Sequence, residues 1–163
     1  TTKPRLAIPF FSKQGKLTGL TLRDYGNNPL RYIMVKINED SPTVFGIDCI
    51  SNNTPVKIVE GPLDSLFLDN CIAAAGSSFN KVDDLGLENP IIIVDNEPRN
   101  ATICKILHKH IKAGSRVVIW PDSIEQKDIN DMVMADVDVE KIINYNTFQN
   151  LEAELKFRTW RKC

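Results

Sequence analysis

The sequence predicts an α/β protein in which a parallel sheet is flanked by helices and preceded by a small, mostly β lobe. Beyond residue 55, near-continuous apolar runs alternate with segments of helical spacing, which is typical of parallel strands buried on both faces. The length of 163 residues suits one domain with such a lobe and is too short for two full-sized domains. The apolar runs end on or beside glycine, proline or an acidic residue and occupy positions 56–59, 71–75, 90–94 and 116–120.

The predicted lobe covers residues 1–54 and is rich in short strands and turns. Two β-rich runs at 5–11 and 17–22 flank a polar, glycine-containing turn, which predicts a hairpin. A loop containing glycine and proline then leads to a third strand at 31–35. Eight Lys and Arg residues against four acidic residues give residues 1–59 a net charge of +4, so the lobe is predicted to be basic.

The rest of the chain divides into a sheet domain at 55–137 and a C-terminal strand and helix at 138–163 that pack on it. Helical spacing predicts a short helix at 63–68 and a longer one at 99–113. A last amphipathic helix is predicted from about 147 to 161, with inward residues Phe148, Leu151, Leu155 and Trp160.

Composition and charge restrict the class of protein. Hydrophobic residues make up 42% and charged residues 25%, which favours a soluble globular protein over a disordered one. No apolar run approaches the ~20 residues that would cross a bilayer. The chain begins without Met, which is typical of a processed chain or of a piece cut from a longer one, and it lacks a signal-peptide core, so we expect a cytoplasmic protein. A basic lobe beside a segment at 60–97 of net charge −7 suits binding of polyanions and of a cation, although chance clumping explains the charges equally well.

The four cysteines are Cys49, Cys71, Cys104 and Cys163, and no two of them form a C-x-x-C pair. Zinc ligands usually come in such close pairs. Cys71 and Cys104 lie in apolar periodic segments, where buried free thiols are common. We therefore expect neither disulfides nor a zinc site.

Carboxylates follow three of the four predicted parallel strands. In open parallel sheets, ligands bind outside the carboxyl ends of the strands. Carboxylates that converge there repel one another unless a divalent cation neutralises them, which favours a hard ion such as Mg²⁺. For each single residue the alternative is a helix N-cap, whereas three acidic strand ends together favour the metal. The residues are Glu60 after the first strand, Asp95 and Glu97 after the third, and Asp122 and Asp128 after the fourth.

Three motifs at these strand ends resemble the Toprim domain, which replicative primases of bacteria and phages share with topoisomerases and some nucleases. They are EGPLD at 60–64, DNE at 95–97 and KDIND at 127–131, and the GSS turn at 76–78 resembles a turn of the primase version. The Toprim signature is a Glu-Gly turn followed by a D-x-D pair, both of which hold Mg²⁺. Here the pair is D-x-E, and Asn130 stands where many primases have a second Asp.

The basic lobe resembles the lobe that precedes Toprim in primases of the bacterial type, which has the pattern F-P-I…G-x-x-x-G-x-x-x-R…K-Y. The matching residues, in order, are Ile8-Pro9-Phe10, Gly15, Gly19, Arg23 and Arg31-Tyr32. Arg31 stands where Lys is common. Over about residues 5–135 the chain therefore resembles the RNA polymerase core of a bacterial or phage-type replicative DNA primase.

The resemblance implies a DNA-directed RNA polymerase, a nucleotidyltransferase that makes short RNA primers from NTPs on single-stranded DNA. It implies Mg²⁺ as the cofactor, with Mn²⁺ as the alternative ion, and a replicative helicase as a partner of the full-length protein in the primosome. No membrane partner is expected, and a phage protein would act in the host cytoplasm. The implied catalytic residues are Glu60, Asp64 and Asp95, the metal ligands Glu60, Asp95, Glu97 and Asp128, and the nucleotide or template contacts Arg5, Lys16, Arg23, Arg31, Tyr32, Lys36 and Lys127.

Two other functions stay open at this point: a Mg²⁺-dependent Toprim nuclease and a non-catalytic nucleic-acid-binding Toprim module. The primase-like pattern of the lobe argues against the nuclease, and the D-x-E departure is the reason to consider the module. For three further residues, two alternative roles stay open. Asp64 binds a metal-bound water or complements a helix dipole, Tyr32 stacks on a base or ribose or only packs, and Lys127 contacts a triphosphate or pairs with acidic neighbours.

Overall fold

The computed structural model describes residues 4–26, 28–37, 43–75, 79 and 85–163, and within them the chain forms two sheets. A mixed α/β body with a separate antiparallel lobe confirms the fold class predicted from the sequence. The turn at 76–78 and the first three residues of the predicted lobe lie outside the described residues. The domain boundaries at 54/55 and 137/138 stay predictions.

The lobe is a three-stranded antiparallel sheet in the order β1-β2-β3. Its strands are β1 (Arg5–Phe11), β2 (Leu17–Asp24) and β3 (Tyr32–Lys36), close to the predicted limits. The turn between β1 and β2 closes with a hydrogen bond of 2.8 Å from the Gly15 amide to the Ser12 carbonyl. Gly15 has φ of +73°, a conformation that side chains disfavour, so the glycine at this turn is required by the backbone.

The second sheet has five strands, β4 (Lys57–Val59), β5 (Cys71–Ala73), β6 (Ile91–Ile92), β7 (Arg116–Val118) and β8 (Thr147–Phe148). Their order is β5-β4-β6-β7-β8, with the first four parallel and β8 antiparallel to β7. The apolar runs are buried beyond the strand ends, at 56–59, 72–75, 91–94 and 117–120. This burial confirms the prediction of parallel strands covered on both faces.

The helices of the described residues are α1 (Pro62–Ser65), α2 (Ala101–Lys112), α3 (Ile129–Met134), α4 (Val139–Tyr145) and α5 (Asn150–Trp160). Polar side chains cap three of them by accepting backbone N–H bonds, Asn100 at α2, Asp128 at α3 and Asp138 at α4. These caps define where each helix begins.

The prediction of one helix from 147 to 161 with Leu151 and Leu155 inward is wrong. Residues 147 and 148 form β8, and α5 buries Ala153 and Phe157 together with Trp160, which was predicted to face inward. Leu151 and Leu155 are 71% and 57% exposed. They lie two positions before and after Ala153, and at about 100° per residue this rotation places them on the opposite side of the helix.

The core lies between the second sheet and its helices. Ile58, Ile72, Leu107 and Val117 are fully buried there, and the Trp120 indole donates a 2.8 Å hydrogen bond to the Val94 carbonyl. No helix of the described residues is long and apolar enough to cross a membrane.

The fold also brings together two cysteines that lie far apart in the sequence. Their sulfurs, Sγ of buried Cys104 and Sγ of exposed Cys163, are 3.4 Å apart, and both are free thiols.

Candidate active site

A cleft of about 620 Å³ lies between the lobe and the carboxyl ends of the parallel strands. Acidic side chains line it from the second sheet, and basic side chains line it from β2 and β3. The predicted site residues among its lining are Arg23, Arg31, Tyr32, Lys36, Glu60, Asp64, Asp95, Lys127 and Asp128. The cleft therefore brings together the acidic and the basic residues that the sequence predicted for one site.

The turn after β4 places Glu60 and Asp64 on the cleft. Glu60 is exposed, and Gly61 is the N-cap of α1, which begins at Pro62. Asp64 Oδ1 accepts a 3.0 Å hydrogen bond from the backbone N–H of Asn130, just inside α3. Asp64 is therefore held by a second helix at the site, α3, and does not only complement the dipole of its own helix.

Gly61→Ala is expected to lower activity by about a hundredfold by displacing Asp64. The backbone of Gly61, with φ of −97°, accepts any residue, but an added Cβ would collide with Asp64 Oδ2. Comparing the activity of Gly61→Ala, Asp64→Ala and the double variant measures the coupling. If alanine acts through Asp64, the double variant is as active as Asp64→Ala alone, whereas additive losses would contradict this mechanism.

Like charge and burial disfavour ionised carboxylates at the centre of the site. Burial, reinforced by the charges of Glu60, Asp64 and Asp128, raises the pKa of Asp95 to about 7. Burial is also the main cause that raises the pKa of Asp64, with the charge of Asp128 adding to it. A divalent cation would relieve this repulsion, so the donor set fits a hard ion.

The geometry of the carboxylates supports that fit only in part. Asp64, Asp95 and Asp128 border a common cavity of about 10 Å³, roughly the room of one water molecule. In the chain as described, no three acidic, His or Cys side chains lie close enough to enclose an ion.

Lys127 pairs with both acidic residues of the D-N-E motif. Its Nζ lies 3.9 Å from Asp95 Oδ2 and 3.5 Å from Glu97 Oε1, and its side chain is 56% exposed. Burial lowers the pKa of Lys127, but the charges of Glu97 and Asp95 outweigh it and raise the pKa above its usual value. Lys127 thus pairs with its acidic neighbours while also lining the cleft.

Two of the predicted metal ligands have structural partners. Asp128 Oδ1 accepts the Asp131 N–H at 2.8 Å as the N-cap of α3, so this residue both caps a helix and lines the cleft. Glu97 is absent from the cleft lining, and its Oε2 accepts a hydrogen bond of 3.3 Å from Asn100. The cap of α2 is Asn100, so capping that helix is not the role of Glu97.

The lobe residues that were predicted to contact nucleotide or template divide into two groups. Arg23, Arg31, Tyr32 and Lys36 face the cleft, and the Arg23 guanidinium lies 5.6 Å from the centre of the Tyr32 ring. Arg5 and Lys16 are absent from the lining. Arg5 donates hydrogen bonds to the Leu22 and Leu30 carbonyls at 3.5 and 2.9 Å, while Lys16 is exposed at the hairpin turn.

Sequence reasoning missed other residues of the site. Thr21 and Met34 line the cleft because strand residues two apart face the same side, as Arg23 and Tyr32 do. Strand alternation could have found both. Asn96 was missed as well, although it stands between Asp95 and Glu97 and bonds to the loop that carries Lys127.

The fold of this sheet and lobe is shared with solved primase structures, among them the Aquifex aeolicus primase with its zinc-binding and RNA polymerase domains. The comparisons agree at the level of sequence. Over 99% of its length the chain is 30% identical to the DNA primase of Enterobacteria phage T4, of which it covers 48%. The chain is therefore a homologue of DNA primases and spans about half the length of this curated relative. No protein-family model matches it.

Solved structures share the fold. A DNA primase domain from Pseudomonas aeruginosa has a TM-score of 0.71 at 16% identity, covering 97% of this chain and 55% of that one. A DnaG primase catalytic domain bound to single-stranded DNA has a TM-score of 0.68 at 16% identity, covering 90% and 52%. At such identities the matches show a shared fold, which confirms the predicted architecture.

Proposed function

We propose that the chain is the catalytic core of a DNA-dependent RNA primase, which joins NTPs into short RNA primers on single-stranded DNA. The observation that carries the proposal is the cleft, which places four carboxylates opposite a row of basic side chains. A nucleotidyltransferase needs both, since it must hold a polyanionic strand and stabilise charge on a transferring phosphoryl group.

The carboxylates are proposed to bind Mg²⁺, with Mn²⁺ as the alternative ion. Glu60, Asp95 and Asp128 would hold it at the strand ends, and Glu97 would join them only if its side chain leaves Lys127 and Asn100. The bound ion would orient the triphosphate and stabilise charge as the primer 3′-hydroxyl attacks the α-phosphorus and pyrophosphate leaves. Asp64, which accepts the Asn130 N–H, would also accept a hydrogen bond from a water in the cleft.

The basic side chains are proposed to bind template and nucleotide phosphates. Arg23 on β2, Lys36 on β3 and Arg31 just before β3 line the cleft, so a nucleic-acid strand bound there would meet several cations. Lys127 would exchange its carboxylate partners for a triphosphate, and Tyr32 would stack on a base or ribose. Contacts from Arg5 and Lys16 would involve nucleic acid outside the cleft.

Partners and location are proposed at the level of the full-length protein. The solved neighbour bound to single-stranded DNA supports the same ligand for this chain. A replicative helicase would bind through the full-length protein, and the complex would act in the cytoplasm of the host cell.

The deciding experiment is a primer-synthesis assay on single-stranded DNA with labelled NTPs, with and without Mg²⁺. Template-dependent RNA products that require Mg²⁺ would support the proposal. Cleavage of labelled DNA without incorporation would indicate the nuclease instead. Binding of DNA with neither reaction, for the full-length protein as well, would indicate the non-catalytic module.

Arg23→Ala and Arg31→Ala are each expected to weaken binding of single-stranded DNA and to reduce the salt dependence. Each lost phosphate contact lowers the slope of log K against log[salt] by about 0.7–1. Fluorescence anisotropy with a labelled oligonucleotide at several salt concentrations measures this slope. Lys141→Ala is the matched control, since Lys141 is exposed on α4 and is not in the cleft lining. An unchanged slope for both arginine variants would contradict phosphate binding in the cleft.

A further inference from the structure

The side chain of Asn96 connects three segments of the structure. Its Nδ2 donates hydrogen bonds to the carbonyls of Ile124 and Gln126, at 2.8 and 3.1 Å. Its Oδ1 accepts a 3.1 Å hydrogen bond from the indole Nε1 of Trp160, at the end of α5. The backbone N–H of Asn96 also donates to the Lys127 carbonyl at 2.7 Å.

These hydrogen bonds require an amide side chain at position 96 in one orientation. Two carbonyl oxygens face Nδ2, which carries two hydrogens, and an indole N–H faces Oδ1. If the amide were turned over, its oxygen would face the two carbonyl oxygens and its NH₂ group would face the indole N–H, so all three contacts would be repulsive. An aspartate has the same shape but no donor, and it would place a carboxylate oxygen against two carbonyls. Asn96 is half-buried and Trp160 is 5% exposed, so water replaces lost bonds only in part.

The connected segments are those that carry the site. Asn96 follows Asp95 directly, and the loop that it holds ends with Lys127 and Asp128. From there the contacts continue, because the Asn130 N–H bonds to Asp64. The Asn96 side chain thus links the segment with the carboxylates that follow β6 to the loop with those that follow β7.

We propose that Asn96 is a positioning residue that sets the spacing of the carboxylate cluster, and that Trp160 orients its amide, so that α5 supports the site from behind. The role of that cluster rests on the proposed function. The contact itself does not, because residues of this chain alone make it.

Hydrogen–deuterium exchange of the loop is the first test. Asn96→Ala and Asn96→Asp are expected to increase exchange of residues 124–130 by about tenfold or more, because the loop loses its anchors. Trp160→Phe keeps an aromatic ring beside Phe157 and is expected to have a smaller effect in the same peptides. Asn146→Ala is the matched control, since this half-buried amide donates a 2.8 Å bond to the Ile142 carbonyl away from the cleft lining.

The second test is the midpoint of a Mg²⁺ titration followed by melting temperature, which does not depend on catalysis. The midpoint is expected to rise about tenfold for Asn96→Ala and to stay within about twofold for Asn146→Ala. A purely structural role would lower the melting temperature and leave the midpoint unchanged.

The outcomes separate the two proposals. Unchanged exchange at 124–130 in the Asn96 variants, an equal change in Asn146→Ala, or an unchanged Mg²⁺ midpoint in Asn96→Ala overturns the positioning role. A wild-type protein that binds Mg²⁺ but never incorporates NTPs contradicts the primase proposal and leaves the role of Asn96 standing. If wild type gains no stability from Mg²⁺, the proposed metal site fails and exchange alone decides whether Asn96 spaces the carboxylates.

Discussion

Glu60→Gln is expected to lower nucleotide incorporation by about three orders of magnitude, which corresponds to about 4 kcal/mol of lost transition-state stabilisation. Glu60 directly follows β4, is exposed and lines the cleft, so its side chain contributes little to the core. Glutamine keeps the size of the side chain and removes the charge available to a divalent cation. Steady-state incorporation of labelled NTPs on single-stranded DNA at several Mg²⁺ concentrations measures the effect, and a melting curve verifies the fold.

Glu88→Gln is the matched control for this loss. It makes the same chemical change at an exposed residue shortly before β6, at the other end of the strands, and is expected to keep wild-type activity. Normal polymerisation by Glu60→Gln would remove Glu60 from the site and with it the main support for a strand-end metal.

The same substitution at Glu97 tests how far the D-x-E departure matters. Glu97 is held by Lys127 and Asn100 and is absent from the cleft lining, so Glu97→Gln should have a much smaller effect than Glu60→Gln.

Much of the fold could be predicted because the parallel strands carry their own signal. A run such as Pro90 to Val94 is apolar at every central position, which is typical of a strand covered on both faces. The carboxyl ends of such strands meet at one edge, so Glu60, Asp95 and Asp128 were predicted together without knowledge of the helices between them.

The errors arise where a long-range contact outweighs the local pattern. Leu151 and Leu155 have helical spacing, but pairing of 147–148 with β7 and burial of Ala153 determine which side of α5 faces the core. Arg5 has the charge of a phosphate ligand, yet in the structure it donates to two carbonyls of its own lobe. Strand register determines which positive side chains bond within the protein and which ones face the cleft. Charge alone cannot distinguish the two.

Asp95→Asn is expected to stabilise the metal-free protein at pH 7.5 by about 5 °C while abolishing activity. The unfolded carboxyl titrates near 3.8, whereas burial and the charges of Glu60, Asp64 and Asp128 raise the folded pKa to about 7. That difference corresponds to about 4 kcal/mol, which solvent screening of a quarter-exposed side chain reduces to about 2 kcal/mol. For a chain of this size, each kcal/mol changes the melting temperature by about 2–4 °C, which gives the expected shift of about 5 °C.

The sign of the pH dependence follows from the same two values. Below about pH 4 both states hold the proton, and Asp95 contributes nothing to the pH dependence of unfolding. Between about pH 4 and pH 7 the unfolded state has lost the proton that the folded state keeps, so stability falls as pH rises and levels off above pH 7. Asp95→Asn loses this component and keeps a smaller slope from Asp64, the pKa of which is also raised.

Mg²⁺ should reverse the order of stability. A bound cation favours the ionised carboxylate, so wild type at pH 7.5 should gain melting temperature with Mg²⁺ while Asp95→Asn gains little. Asp122→Asn is the matched control, since exposed Asp122 also follows β7 but is not in the cleft lining. Melting curves at pH 5 and pH 7.5, with and without Mg²⁺, decide the matter. An Asp95→Asn variant that is less stable than wild type at pH 7.5 without metal would show that burial and like charge do not destabilise the Asp95 carboxylate. A variant that Mg²⁺ stabilises as strongly as wild type would show that Asp95 is not a ligand.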